Sequence, residues 1–220
     1  MVEHSVEPSV VRRLASVGSV ELLATVLLAV AAVATAWSSY QASRWSGEQS
    51  IAFSASNAAR VNASRASATA DQQTQIDVST FIAWANAYAT GDTRLINFYF
   101  RRFRPEFRPA VDAWVATRPL KNPGAPLTPF TMPQYRLAER TKAAGLDAEA
   151  ALQTSLAKRN NQRSDNYVLA VVLFASSLFF AGISTKLAGL RYQAALLAIG
   201  CVIFLGALVW TLTFPVSFAV

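Results

Sequence analysis

Two apolar runs, residues 167–183 and 194–214, follow one another near the C-terminus, separated only by a short basic turn at residues 184–193. Each approaches the roughly 20 residues an α-helix needs to cross a hydrocarbon core. Neither contains Asp, Glu, Lys, Arg or His. A third run, residues 20–37, lies near the N-terminus. Backbone polar groups in lipid must be satisfied within the chain, so runs of this length and polarity predict helices. The expected fold is an all-α membrane protein with three transmembrane helices, over 20–40, 167–185 and 192–214, and an N-terminal tail at 1–19. A long helical-hairpin extramembrane domain, 41–166, is inserted between the first and second spans.

Charge supports this partition. Only 15% of residues are charged and 53% are hydrophobic, where soluble domains carry about 25% charged residues. The polar stretch 41–166 has the size of one domain. The net charge of +7 suits anionic headgroups or an acidic protein partner. Spaced Cys/His pairs and aromatic strand signatures are missing from the sequence, so nucleic acid is not an expected partner. One histidine, His4, and one cysteine, Cys201, make a His/Cys metal site untenable and an intrachain disulfide impossible. Arg12 and Arg13 precede the first run, and Ala34-Thr35-Ala36 resembles a cleavage site. The apolar stretch is longer than a signal core and Glu21 interrupts its start, so we read a retained span.

Short basic segments orient a membrane protein. Arg12 and Arg13 in the tail, and Lys186 and Arg191 in the turn, lie on one face if there are three spans. This predicts a cytoplasmic N-terminus with domain 41–166 outside the membrane, although Arg44, Lys158, Arg159 and Arg163 flank the opposite face. Trp37, Tyr40 and Trp45 cluster where the first span ends and are candidate membrane-interface residues. Glu21 and Asp165, with Arg163 as its expected partner, are candidate ionisable groups at the membrane edge.

The first span predicts a helix that continues past the membrane. Proline is absent between Pro8 and Pro105, and from Gly18 onward only Gly47 and Gly91 interrupt that interval. Helix stop signals are therefore sparse from about Val20 towards Thr80. Small residues recur at spacings of three and four in two phases: Thr25, Ala29, Ala32, Ala36, Ser39, Ser43, Ser46 and Ser50, then Ala52, Ser56, Ala59, Ala63, Ala66 and Ala70. Such a seam lets helices approach closely. It predicts pairing, either with the helix entering the second span or between subunits.

Gly91-Asp92 reads as a break with a new helix cap. Beyond it, Leu95, Phe98, Phe103, Phe107, Val111 and Trp114 have the spacing of a helical core face. Arg101, Arg102, Arg104 and Arg108 form a candidate surface for a partner or lipid headgroups. Prolines 119, 123, 126, 129 and 133 exclude a helix over the loop 118–133, with Phe130 and Met132 as anchors. A second long helix is expected from Gln134, its apolar face marked by Leu137, Leu146, Leu152 and Leu156. Asp71 and Asp77 do not share a helix face cleanly, and are read as solvated.

Four phrases, YQASRWSGEQ, FYFRRFRPEFRPAVDAW, NPGAPLTPFTMPQY and RSDNYVLAVVLFASSLFFAGIS, resemble an uncharacterised family of bacterial three-span membrane proteins. The resemblance implies bacterial origin, a membrane location and three spans, and brings no catalytic residue.

Neither a glycine-rich phosphate loop nor a G-x-S-x-G or H-E-x-x-H motif occurs in the sequence. No catalytic, cofactor-binding or metal-ligating residue is assigned. The function expected is a non-enzymatic, self-associating scaffold, accessory subunit or sensor in the lipid bilayer. The alternatives are a pore component, whose first span offers only Glu21, Thr25 and Thr35 as polar lining, and a membrane-bound enzyme acting on lipid or cell-wall substrates.

Overall fold

A computed structural model describes residues 8–218, with side chains from Val20 onward. The expectations for His4, Arg12 and Arg13 lie outside the described residues or side chains. Among the described residues every regular element is helical: α1 (Pro8–Thr90), α2 (Thr93–Phe100), α3 (Arg108–Ala116), α4 (Ala138–Ser184) and α5 (Leu190–Thr211), with a single 3-10 turn at Pro129–Thr131. Segments of α1, α4 and α5 are long and apolar enough to cross a membrane. The chain divides into two compact units, one formed by residues up to Phe53 together with those from Ser155 onward, the other by Ser54–Thr154.

The absence of proline lets α1 run for 83 residues. It stops at Gly91, whose φ of +74° costs little without a Cβ. The Asp92 amide then donates to the Ala87 carbonyl at 3.1 Å, the closing bond of a Schellman turn. Asp92 immediately caps α2 by accepting from the Leu95 amide at 3.0 Å.

The buried face of α1 repeats every seven residues. Ala24, Ala31, Ser38, Trp45, Ala52, Ala59 and Ala66 are all buried, and Ser56, Ala63, Ala70, Asp77 and Trp84 form a second such row. The second small-residue phase, Ala52 to Ala70, is thus buried throughout. The first is not: Thr25, Ala29, Ala32, Ala36, Ser39, Ser43, Ser46 and Ser50 are all exposed. Alanine, serine and threonine are so frequent along α1 that their positions alone do not fix its phase.

In the unit formed by the two chain ends, the apolar segments pack as three helices. Ala24, Leu27 and Ala31 of α1 meet Ala170, Phe174 and Ala181 of α4 and Leu197, Phe204 and Ala207 of α5. Helices α4 and α5 approach closely at Gly200. A Cβ there would lie 3.3 Å from the Ser177 carbonyl oxygen and 3.4 Å from the Phe180 Cβ. The Ser177 hydroxyl donates to the Gly200 carbonyl at 2.9 Å, a polar tie between close-packed helices.

In the unit Ser54–Thr154, the Ser56 hydroxyl lies 2.8 Å from that of Thr154 and donates to the Ala150 carbonyl at 3.0 Å. Asp71 pairs with Arg140 at 2.9 Å. Rising numbers in α1 meet falling numbers in α4, so these segments run antiparallel. On the α4 contact face Ala143 and Ala150 are buried; of the leucines expected there, Leu137 just before the helix is buried, Leu146 and Leu156 are half-buried and only Leu152 is exposed, at 57%. Small side chains at the buried positions let the two backbones approach closely.

The aromatic segment does not form one continuous helix. Pro105 interrupts it between α2 and α3, and this turns the expected core face. Phe103, Phe107, Val111 and Trp114 are buried, while Leu95 and Phe98 stay exposed. Phe130, Met132 and Tyr135 of the proline-rich segment pack against the resulting core, and the Trp114 indole donates to the Pro126 carbonyl at 2.6 Å. Helix α4 starts at Ala138 rather than Gln134.

Candidate functional site

Two features combine buried polar groups with a shaped surrounding, one in each unit. The first is built on Asp77, in the buried row of α1 in the unit Ser54–Thr154. Its side chain is fully buried, which corrects the reading of Asp77 as solvated. The turn after α2 brings Arg104, whose Nε donates to Asp77 Oδ1 at 3.1 Å. The segment before α4 brings Tyr135, whose hydroxyl donates to Asp77 Oδ2 at 3.1 Å. Arg104 also pairs with Glu106 at 2.6 Å.

Around this cluster stand Phe81, Trp84, Phe103, Phe107, Trp114 and Phe130. Phe107 stacks on Phe130 with centroids 5.1 Å apart, and Phe81 meets Trp114 edge-on at 5.4 Å. Burial in this apolar shell raises the Asp77 carboxyl above its ordinary value of 3.8, against the pull of Arg104 and the Tyr135 hydrogen bond. Burial likewise raises the Tyr135 phenol. Both carboxylate oxygens are engaged, so the arrangement fastens three segments around one charge. It presents no activated nucleophile.

The predicted arginine surface is divided by its contacts. Arg104 faces inward, its side chain 20% exposed. Arg108 donates to the carbonyls of Phe103 and Arg101 at 3.1 and 2.8 Å and so holds the turn closed. Arg102 lies 3.5 Å above the Phe98 ring, a cation–π contact. Arg101 and Arg102 are exposed.

The second feature lies in the unit formed by the chain ends. A partly open cavity of about 320 Å³ is bordered by α1, α4, α5 and the C-terminal segment. That segment is strapped down. The Gln41 side-chain amide donates to the Ser217 carbonyl at 3.1 Å and its oxygen accepts from the Ser217 amide at 2.9 Å. The Trp45 indole and the Tyr167 hydroxyl both donate to the Pro215 carbonyl at 3.2 Å.

Trp37, Tyr40 and Trp45 therefore do different things. Trp37 and Tyr40 are 42% and 43% exposed, with ring centroids 5.9 Å apart. Trp45 is buried, with the Arg163 guanidinium 4.4 Å from its ring centroid. Arg163 is drawn to that ring and does not pair with Asp165, which accepts instead from Asn161 at 2.8 Å and is exposed. Glu21 is exposed on α1. Among the described residues, no three His, Cys, Asp or Glu side chains are grouped to hold a metal ion.

The sequence gives no sign of the roles of Asp77, Tyr135, Gln41 and Ser217, because their partners are distant in the chain. The one local hint is that Asp77 continues the seven-residue spacing of Ala63 and Ala70. Comparison with protein-family models, with curated proteins and with solved structures finds no match to this chain.

Proposed function

We propose that this protein is a non-enzymatic, multi-pass scaffold of a bacterial cytoplasmic membrane, self-associating through α1 and presenting the polar unit to a partner. The observation that carries this reading is the exposed small-residue stripe from Thr25 to Ser50. At 3.6 residues per turn this stripe lies roughly 100–160° round the helix from the buried row Ala24, Ala31 and Ser38. On its buried rows the chain uses small side chains to bring helices together. An equally small face away from that row suits a second copy, since close packing is what holds helices together in lipid. The long helices α1 and α4 then carry the unit Ser54–Thr154 out of the membrane as a helical hairpin. Arg101 and Arg102 offer their charge to an acidic partner or to headgroups.

Single cysteines test the interface in a Cys201→Ala background. Cysteines at Ala29, Ala32 and Ala36 should form disulfide-linked dimers in isolated membranes, whereas one at Val26, exposed beside the stripe, should not. Equal crosslinking at all four, or none, would end this reading. In the proposed orientation, a cysteine at Ser67 reacts with an impermeant maleimide in intact cells and one at Thr185 does not. Both positions are exposed.

A further inference from the structure

The cavity in the unit formed by the chain ends has the attributes of a lipid site. Its volume of about 320 Å³ is at the small end of the ~300–1,000 Å³ typical of ligand pockets. Its wall includes Ala34, Phe174, Phe204 and Leu208 from three helices, and Val216 from the strapped C-terminal segment. No Asp, Glu, Lys, Arg or His lines it.

One buried polar side-chain atom in this wall has no hydrogen-bond partner among the described residues. Ser38 is fully buried, and its Oγ makes no hydrogen bond. The other two wall hydroxyls are engaged, Thr211 with the Ala207 carbonyl at 2.7 Å and Tyr167 with the Pro215 carbonyl at 3.2 Å. A buried hydroxyl without a partner is unusual and asks for an acceptor.

The geometry points to a binding site for one acyl chain of an ester lipid, its ester carbonyl accepting from the Ser38 hydroxyl and its methylenes lying against Phe174, Phe204 and Leu208. Size limits the occupant to one chain. The uncharged wall favours a neutral ester over a free carboxylate, which would need a countercharge when taken out of water. The three apolar helices would bring the cavity into contact with bilayer lipid, and to that extent the inference rests on the membrane reading proposed above.

The test uses the full chain in nanodiscs containing phosphatidylcholine with a diazirine on one acyl chain. Photolabelling should concentrate on peptides holding Ser38, Phe174 and Leu208. Ala34→Trp, which fills the cavity, should reduce it at least tenfold. Ser38→Ala should reduce it roughly threefold to tenfold, the range expected for one hydrogen bond. Leu23→Trp, outside the cavity, should leave it unchanged. Should Ala34→Trp fail to fold by circular dichroism, Leu208→Trp serves the same purpose.

Labelling spread equally over Leu23, Val202 and Val209, or unaltered by a folded cavity-filling variant, would overturn the site. Equal capture of a diazirine fatty acid would overturn the ester assignment. Flotation with liposomes after an alkaline wash is read separately, because its failure would sink the membrane reading itself.

Discussion

The two units are built from segments of the same two long helices and are held together differently. In the unit Ser54–Thr154, large rings are inside and, apart from the buried Asp77 and its partner Arg104, the charges named here are outside: Phe103, Phe107 and Trp114 are buried, while Arg60, Arg65 and Asp71 are exposed. This is the pattern the hydrophobic effect produces in water. Along the apolar segments of the other unit the exposed face is apolar too, with Leu22, Leu23, Val26, Val172, Val202 and Leu205 all exposed. In the proposed bilayer, burial from water would not distinguish inside from outside there. Cohesion comes from close contact, as at Gly200, and from hydrogen bonds such as that of Ser177. In the membrane arrangement proposed above, one helix would meet two solvents along its length, and the residues that matter would change from bulky to small.

The largest test of this contrast is Phe107→Ala. Phe107 is fully buried and contacts Phe81, Phe103, Phe130 and Tyr135. Its truncation should cost about 3–5 kcal/mol. Hydrogen exchange should rise across residues 81–114 while the apolar segments of α4 and α5 keep their protection. Uniform loss in both units would show that they do not unfold separately.

Asp77→Ala should follow, at about 2–3 kcal/mol. Breaking a buried pair costs more when the remaining charge has nowhere to go, but Arg104 is 20% exposed and keeps Glu106. Asp77→Asn isolates the charge. The folded carboxyl holds its proton more tightly than the unfolded one, whose value is near 3.8. Between those two values the folded state binds more protons, so stability falls as pH rises through the window. The wild type minus Asp77→Asn difference should slope downward there; a flat or rising difference would overturn the direction of the shift.

The smallest effect is expected from Gly200→Leu, at about 1–3 kcal/mol from overpacking. Its Cβ would stand 3.3 Å from the Ser177 carbonyl. Thermal unfolding in detergent should drop, with the aromatic signal of the other unit unchanged. A neutral result would mean that α4 and α5 tolerate separation, and that the argument from close contact is wrong.

The sequence was legible wherever structure follows from neighbours along the chain. The absence of proline over α1, the Gly91-Asp92 break and the apolar runs are local signals, and each corresponds to an observed element. The proline spacing likewise marks the non-helical stretch that places Phe130 and Met132. Faces were harder to read. The exposed phase Thr25 to Ser50 and the buried phase Ala52 to Ala70 look alike in sequence, and on α4 the buried alanines Ala143 and Ala150 share the contact face with the expected leucines, from which Leu152 alone turns out. A helix rich in alanine and serine has little hydrophobic contrast around its circumference, so its phase is set by its partner.

What the sequence determined alone was helicity and the position of three segments apolar enough for a membrane, since backbone geometry and transfer free energy depend on residues close together. Only the tertiary structure decided that Asp77 is buried between Arg104 and Tyr135. It also decided that Gln41 holds Ser217 and that Ser38 lines a cavity without a partner. Those outcomes join residues far apart in the chain, and their energies exist only once the helices have packed.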